Sequence, residues 1–100
     1  MSIRHIVLWR LSADDADTRA VHAEELAQRL EGLGDLIDEI DSIQVRPNVA
    51  FPGTNWDVAL VADFADTAAL ESYIAHPEHQ RVASFIREVT SERAAIDLPF

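Results

Sequence analysis

The chain predicts an α+β domain, and three observations predict it. Four stretches alternate in polarity with a period of two, as strands do. Two amphipathic stretches at helical spacing separate them in the order strand, helix, strand, strand, helix, strand. No repeat, low-complexity run or linker divides the hundred residues, and 48% of them are hydrophobic. One domain spanning 1–100 therefore has ample apolar side chains for a core.

Ile3 to Leu11 opens the chain as a strand, with His5, Val7, Trp9 and Leu11 on one face and Arg4, Ile6, Leu8 and Arg10 on the other. Its centre is apolar on both sides, so both faces require cover. His5 shares a face with Val7 and Trp9. There it is either a core histidine satisfied by a nearby acceptor or a pocket residue. Ser12-Ala13-Asp14-Asp15 supplies cap residues. The helix that follows carries a stripe of Ala16, Ala20, Ala23, Ala27 and Leu30, flanked by Leu26 and Leu33, and ends at Gly32 and Gly34. So many alanines either let the helix approach the sheet closely or leave a void beneath it. His22, at the edge of the stripe, is expected in solvent.

Ile40 to Pro47 reads as the second strand, with Ile43 and Val45 inward and Ser42, Gln44 and Arg46 on a partly solvated face. A loop rich in breakers follows, with Phe51 read as its anchor. Trp56 to Phe64 is the third strand, and Asp66-Thr67 caps the helix bearing Leu70, Tyr73 and Ile74. Ser91 to Leu98 closes the sheet.

Between the last two strands lies the most informative stretch. On one continuous helix Tyr73 and His79 would point roughly 120° apart. Pro77 forbids that continuity, because it lacks an N–H, clashes with the preceding turn and pushes His76 out of the α region. One helix should stop near Ala75 and another start with Pro77 at its first position, with His76 as a cap. The break resets the helical phase and lets Tyr73 and His79 face one cavity. Past it, His79, Val82, Ile86 and Val89 recur on one face, with Phe85 beside them.

Charge and composition exclude several function classes. Eight basic residues against eighteen acidic give a net charge of −10. Nucleic-acid affinity rests on clustered Lys and Arg, and anionic membranes repel such a surface, so neither is a partner. With no cysteine there is no disulfide, thiol catalysis or cysteine zinc site. The chain runs directly into a strand without a long apolar segment or cleavage pattern, which makes the cytoplasm the expected location.

The segment Tyr73-x-x-His76-Pro77-x-His79-x-x-Val82 resembles the signature of the Dabb family, the stress-responsive dimeric α/β-barrel domains. Ile3 to Leu8, with its histidine, is similar to that family's opening strand, Trp56 to Phe64 to its third and Arg93 to Asp97 to its last. The resemblance covers essentially the whole chain. It implies a ferredoxin-like βαββαβ protomer that forms a dimeric α/β barrel through its sheet. Plant polyketide cyclases of similar sequence use a Tyr and a His from this motif. Aligned on the terminal Phe of the third strand, the cyclase pattern places a further pocket histidine where this chain has Val58, so the cyclase reaction does not transfer directly.

Tyr73, His79 and His5 form the candidate catalytic set. A neutral imidazole moves protons at cellular pH, burial against Val82 and Ile86 keeps it neutral, and a phenol donates to an oxygen gaining charge. That combination suits enolisation, isomerisation or aldol-type ring closure in a small apolar carbonyl compound, with no cofactor. Val7, Trp9, Val58, Leu60, Val82 and Ile86 are the expected ligand-binding walls. The competing reading is a non-catalytic homodimer that binds a small apolar ligand or acts in stress tolerance. A metal site from His5, His76 and His79 lacks a recognised ligand spacing and is not expected.

Overall fold

The computed structural model describes Met1–Phe100 and arranges them as β1 (Ile3–Leu11), α1 (Ala16–Gly32), a 3₁₀ turn (Leu33–Asp35), β2 (Ile40–Pro47), β3 (Val58–Phe64), α2 (Thr67–Ala75), α3 (Pro77–Val89) and β4 (Thr90–Pro99). The four strands form one sheet in the order β2-β3-β1-β4, with every neighbouring pair antiparallel. This is the ferredoxin-like βαββαβ topology, with the second helix in two pieces.

Polarity along the strands sets the layers. On β1 the odd positions from Ile3 to Leu11 are buried and the even ones half-buried. Odd positions face the helices and join Leu26, Leu30, Leu33, Ile37, Val45, Leu60 and Phe64 in one apolar core. Aspartates start two of the helices: Asp15 accepts from the Thr18 N–H and Asp66 from the Ala69 N–H, both at 2.8 Å. Such caps satisfy donors that the first helical turn leaves without partners.

The break at Pro77 is present. His76 is extended (φ −62°, ψ 136°), and its ring Nδ1 accepts from the Glu78 N–H at 3.1 Å, so it caps α3 with Pro77 in the first turn. The His76 N–H turns back to the Tyr73 carbonyl at 3.2 Å, an acceptor that a residue 77 with an N–H would have served.

Several local expectations are corrected. β3 begins at Val58 rather than Trp56: the chain bends at Asp57, whose carboxylate accepts from the Leu11 N–H at 2.8 Å, and Trp56 lies under Arg10, 4.5 Å from ring centroid to guanidinium carbon. β4 is one residue longer at each end than its polarity indicates. Ala16 and Ala20 are exposed, since only the later turns of α1 reach the core through Ala23, Leu26 and Leu30. His22 is half-buried rather than in solvent, and its Nδ1 is enclosed without a partner. Phe51 does not anchor its loop by its ring, which is 73% exposed. Its carbonyl does the work instead, accepting from the Thr54 and Asn55 N–H groups while its backbone takes the left-handed region (φ 52°).

β4 is the uncovered part of the molecule. At the sheet edge, it is exposed along nearly its whole length, whichever face its side chains take. On the helix-free face, Ile6 pairs with Val61 and Ile96, and Leu8 with Ala59 and Ala94. These apolar side chains form one patch bounded by the Arg4–Asp63 and Arg10–Glu92 ion pairs.

Candidate functional site

Three elements bring the candidate histidines and tyrosine together. β1 presents His5 inward, buried beside Phe64. The last full turn of α2 presents Tyr73, 1% exposed, with its ring centroid 5.0 Å from Phe64 and 6.3 Å from His5. The first turn of α3 presents His79, 4.4 Å from Tyr73 centroid to centroid. The side chains that one continuous helix would have splayed apart lie ring against ring.

The helix break also sets the chemistry of His79. In an uninterrupted helix the Ile74 carbonyl would accept from the Glu78 N–H, which here goes to His76. The freed carbonyl accepts from His79 Nδ1 at 3.0 Å and from Gln80 Nε2 at 2.7 Å. A carbonyl can only accept, so Nδ1 carries the proton and, in the neutral ring, Nε2 carries the lone pair. His5 is oriented in the same way by a different partner. Its Nδ1 meets the Asp97 carboxylate at 2.6 Å across the β1–β4 pairing, which leaves Nε2 free.

Between the sheet and the helices lies a cavity of about 190 Å³. Of the candidate residues, His5, Val7, Trp9, Leu60, Tyr73, His79 and Ile86 line it. Two expected walls do not. Val58 pairs with Trp9 at the far end of β3 and is packed into the core there. Val82 lies on the opposite shoulder of the α3 stripe, whose cavity side is the row His79, Ala83, Ile86 and Arg87. Leu30, Ala83, Arg87 and Arg93 complete the lining; of the four only Leu30 belonged to a stripe the sequence had set facing the sheet, and Arg87 had read as part of the polar face of its helix. Spacing of four from His79 marks Ala83. Arg93 and Asp97 become visible only once β4 is paired with β1, where they face Trp9 and His5.

Burial governs the electrostatics. Desolvation lowers the pKa of His79 below its ordinary 6.5, against the opposing pull of the Ile74 carbonyl, and the positive charges of Arg93 and Arg87 add to the lowering. Desolvation pushes the Tyr73 hydroxyl up to about 12, with Arg93 drawing it partly back. The pair is thus a neutral base beside a neutral hydroxyl at cellular pH. The Tyr73 hydroxyl has no hydrogen-bond partner in the protein. It is nevertheless not an enclosed orphan, since His22 Nδ1 is the one such atom, so it borders open space. No three histidine, aspartate or glutamate side chains converge as a metal-binding group, and no helix is long and apolar enough to cross a membrane.

Among solved structures, the chain is similar to a dimeric protein of unknown function and ferredoxin-like fold from Bacteroides fragilis, with 30% identity, 99% of this chain and 96% of that one covered, and a TM-score of 0.90. A dimeric ferredoxin-like protein of unknown function from Thermobifida fusca is 25% identical over 100% of this chain and 92% of that one, with a TM-score of 0.84. The hydroxynitrile lyase from Passiflora edulis shares the fold at 12% identity, with 97% and 91% covered and a TM-score of 0.79. A search of curated proteins returns no match. The model of the stress responsive A/B barrel domain, Dabb, matches residues 3–100. With the Tyr73-to-Val82 motif folded as a split helix over a buried histidine of the opening strand, the chain belongs to the Dabb family.

Proposed function

We propose that this Dabb-family protein is a homodimer whose protomers abstract a proton beside a carbonyl, as a cofactor-free cyclase or isomerase does. The observation that carries the proposal is the His79–Tyr73 pair: a base with Nδ1 committed to the Ile74 carbonyl, its ring 4.4 Å from a phenol whose hydroxyl has no protein partner. His79 Nε2 takes the proton from the carbon next to the carbonyl. The C–H electron pair becomes a C=C bond, the carbonyl π pair moves onto oxygen, and the Tyr73 hydroxyl donates to that oxygen as its charge grows. His5, steadied by Asp97, binds a substrate hydroxyl or orients the substrate against His79. Returning the proton at another carbon gives isomerisation, and attack on a second carbonyl gives ring closure.

At about 190 Å³ the cavity is smaller than the roughly 300–1,000 Å³ of drug-sized ligand sites, which favours one ring or a short chain. The dimer half of the proposal draws on the Ile6, Leu8, Val61, Ala94 and Ile96 patch and on the dimeric neighbours.

Incubating the protein with acetophenone in deuterated buffer tests the chemistry, with methyl deuteration followed by NMR. The wild-type protein should accelerate exchange, and His79→Ala should lower that acceleration by about 10²–10⁴ while keeping the circular dichroism spectrum. Equal exchange with and without protein, despite saturable binding, would reject catalysis in favour of a ligand-binding dimer.

A further inference from the structure

Every basic residue of this chain is an arginine, and there are eight of them against eighteen acidic residues. In so acidic a protein each guanidinium should find a partner, and six do. Arg4 pairs with Asp63, Arg10 with Glu92, Arg29 with Glu25, Arg46 with Glu31 and Arg81 with Glu78. Arg19 donates to the Ala13 and Asp14 carbonyls at 2.9 and 2.7 Å. Only Arg87 and Arg93 make no ion pair, hydrogen bond or aromatic contact, and both line the cavity that holds His5, Tyr73 and His79. They come from different elements, Arg87 from α3 and Arg93 from the inward face of β4 opposite Trp9.

The nearest acid on that face of β4 is already engaged, since the Asp97 carboxylate is hydrogen-bonded to His5 Nδ1. The remaining walls are largely apolar. Two permanently charged, planar donors at an otherwise apolar cavity suit a carboxylate, which accepts paired N–H bonds from a guanidinium. We infer that the cavity takes a small carbonyl compound bearing a carboxylate, a keto acid of one ring or a short chain, with Arg87 and Arg93 holding the carboxylate and the carbonyl lying between Tyr73 and His79. This rests on the proposed carbonyl chemistry for its second half and on the two arginines alone for its first. It also accounts for how an anion is retained by a protein of net charge −10: the local field at the cavity opposes the global one.

Two probes of nearly equal shape test it, 4-acetylbenzoate and its neutral counterpart 4-acetylbenzamide. Affinities are read from the fluorescence of Trp9 and Trp56 at low ionic strength, and methyl deuteration is followed in parallel. The acid should bind roughly tenfold or more tightly than the amide, as two charge-assisted contacts allow, and the preference should shrink in 0.5 M salt. Arg87→Gln/Arg93→Gln should erase the preference by weakening the acid far more than the amide. Both side chains are exposed, so the double variant is expected to fold, and Arg81→Gln, away from the cavity, serves as a charge control that keeps the preference. Equal affinity for acid and amide in the wild type overturns the inference, as does a preference that survives the double variant. Exchange without acid preference rejects the carboxylate and leaves the carbonyl chemistry standing. Acid preference without exchange for either probe supports the arginine site and rejects the chemistry.

Discussion

At the scale of single residues the site depends on which nitrogen carries a proton. His79 is held with its Nδ1–H on a backbone carbonyl and is buried enough to lower its pKa below 6.5. The unfolded chain therefore binds more protons than the folded one between the folded value and 6.5. The stability that this supplies is complete above about pH 6.5, falls as pH drops through that window, and levels off below the folded value. Melting temperatures from pH 7.5 to 5 should show this decline in the wild type and a flatter curve in His79→Gln, since carboxylates titrate lower. NMR titration of the His79 ring should give a midpoint below 6.5 directly. A midpoint at or above it would mean that water reaches Nε2 freely and that desolvation is not what tunes the base. Tyr73, with its hydroxyl pushed up to about 12, should stay protonated throughout, so Tyr73→Phe should lower the exchange rate at every pH rather than displace the profile.

At the scale of elements, His76 and Pro77 shape the site without entering it. The ring of His76 caps α3, and replacing a capping side chain by Ala costs about 0.5–2 kcal/mol. His76→Ala should therefore lower the denaturation midpoint by a corresponding amount, whereas His76→Asn, with an acceptor at similar reach, should recover most of it. Because the freed Glu78 N–H would then compete for the Ile74 carbonyl, the alanine variant should also loosen His79 and slow exchange. This part of the fold was legible in the sequence, since a proline acts on its own turn and needs no distant partner. Strand polarity was legible on the same grounds; the Pro77 break set Tyr73 and His79 toward one cavity, and the shared face with Val7 added His5. What depends on pairing across the chain was not. Asp97 meets His5 only through the β1–β4 register, and Asp57 meets the Leu11 N–H only because the start of β3 lies beside the end of β1. The arginines were invisible for a further reason. A basic residue in an acidic chain reads as solvated, and its lack of a partner appears only when the other six have been paired.

At the scale of the whole molecule, one sheet serves two surfaces. The helix-free side carries Ile96 at 55% exposure beside Ile6, Leu8, Val61 and Ala94, an apolar face suited to a second copy. A stable interface buries about 1,200–2,000 Å² in total, so Leu8→Asp should convert the proposed dimer to monomer or to insoluble protein in light scattering. A wild type that scatters as a monomer at micromolar concentration would contradict the dimer. β1 contributes to both surfaces at alternate positions: His5, Val7 and Trp9 to the cavity, Ile6 and Leu8 to the opposite face. Substitution can thus alter the two surfaces independently along a single stretch of gene. Insertion and deletion cannot. Losing one codon at Ile6 would turn either His5 or the Val7–Trp9 wall out toward solvent and bring the outer residues in, and both surfaces would fail together. Homologues of this protein should therefore vary in the letters of β1 but hardly ever in its length.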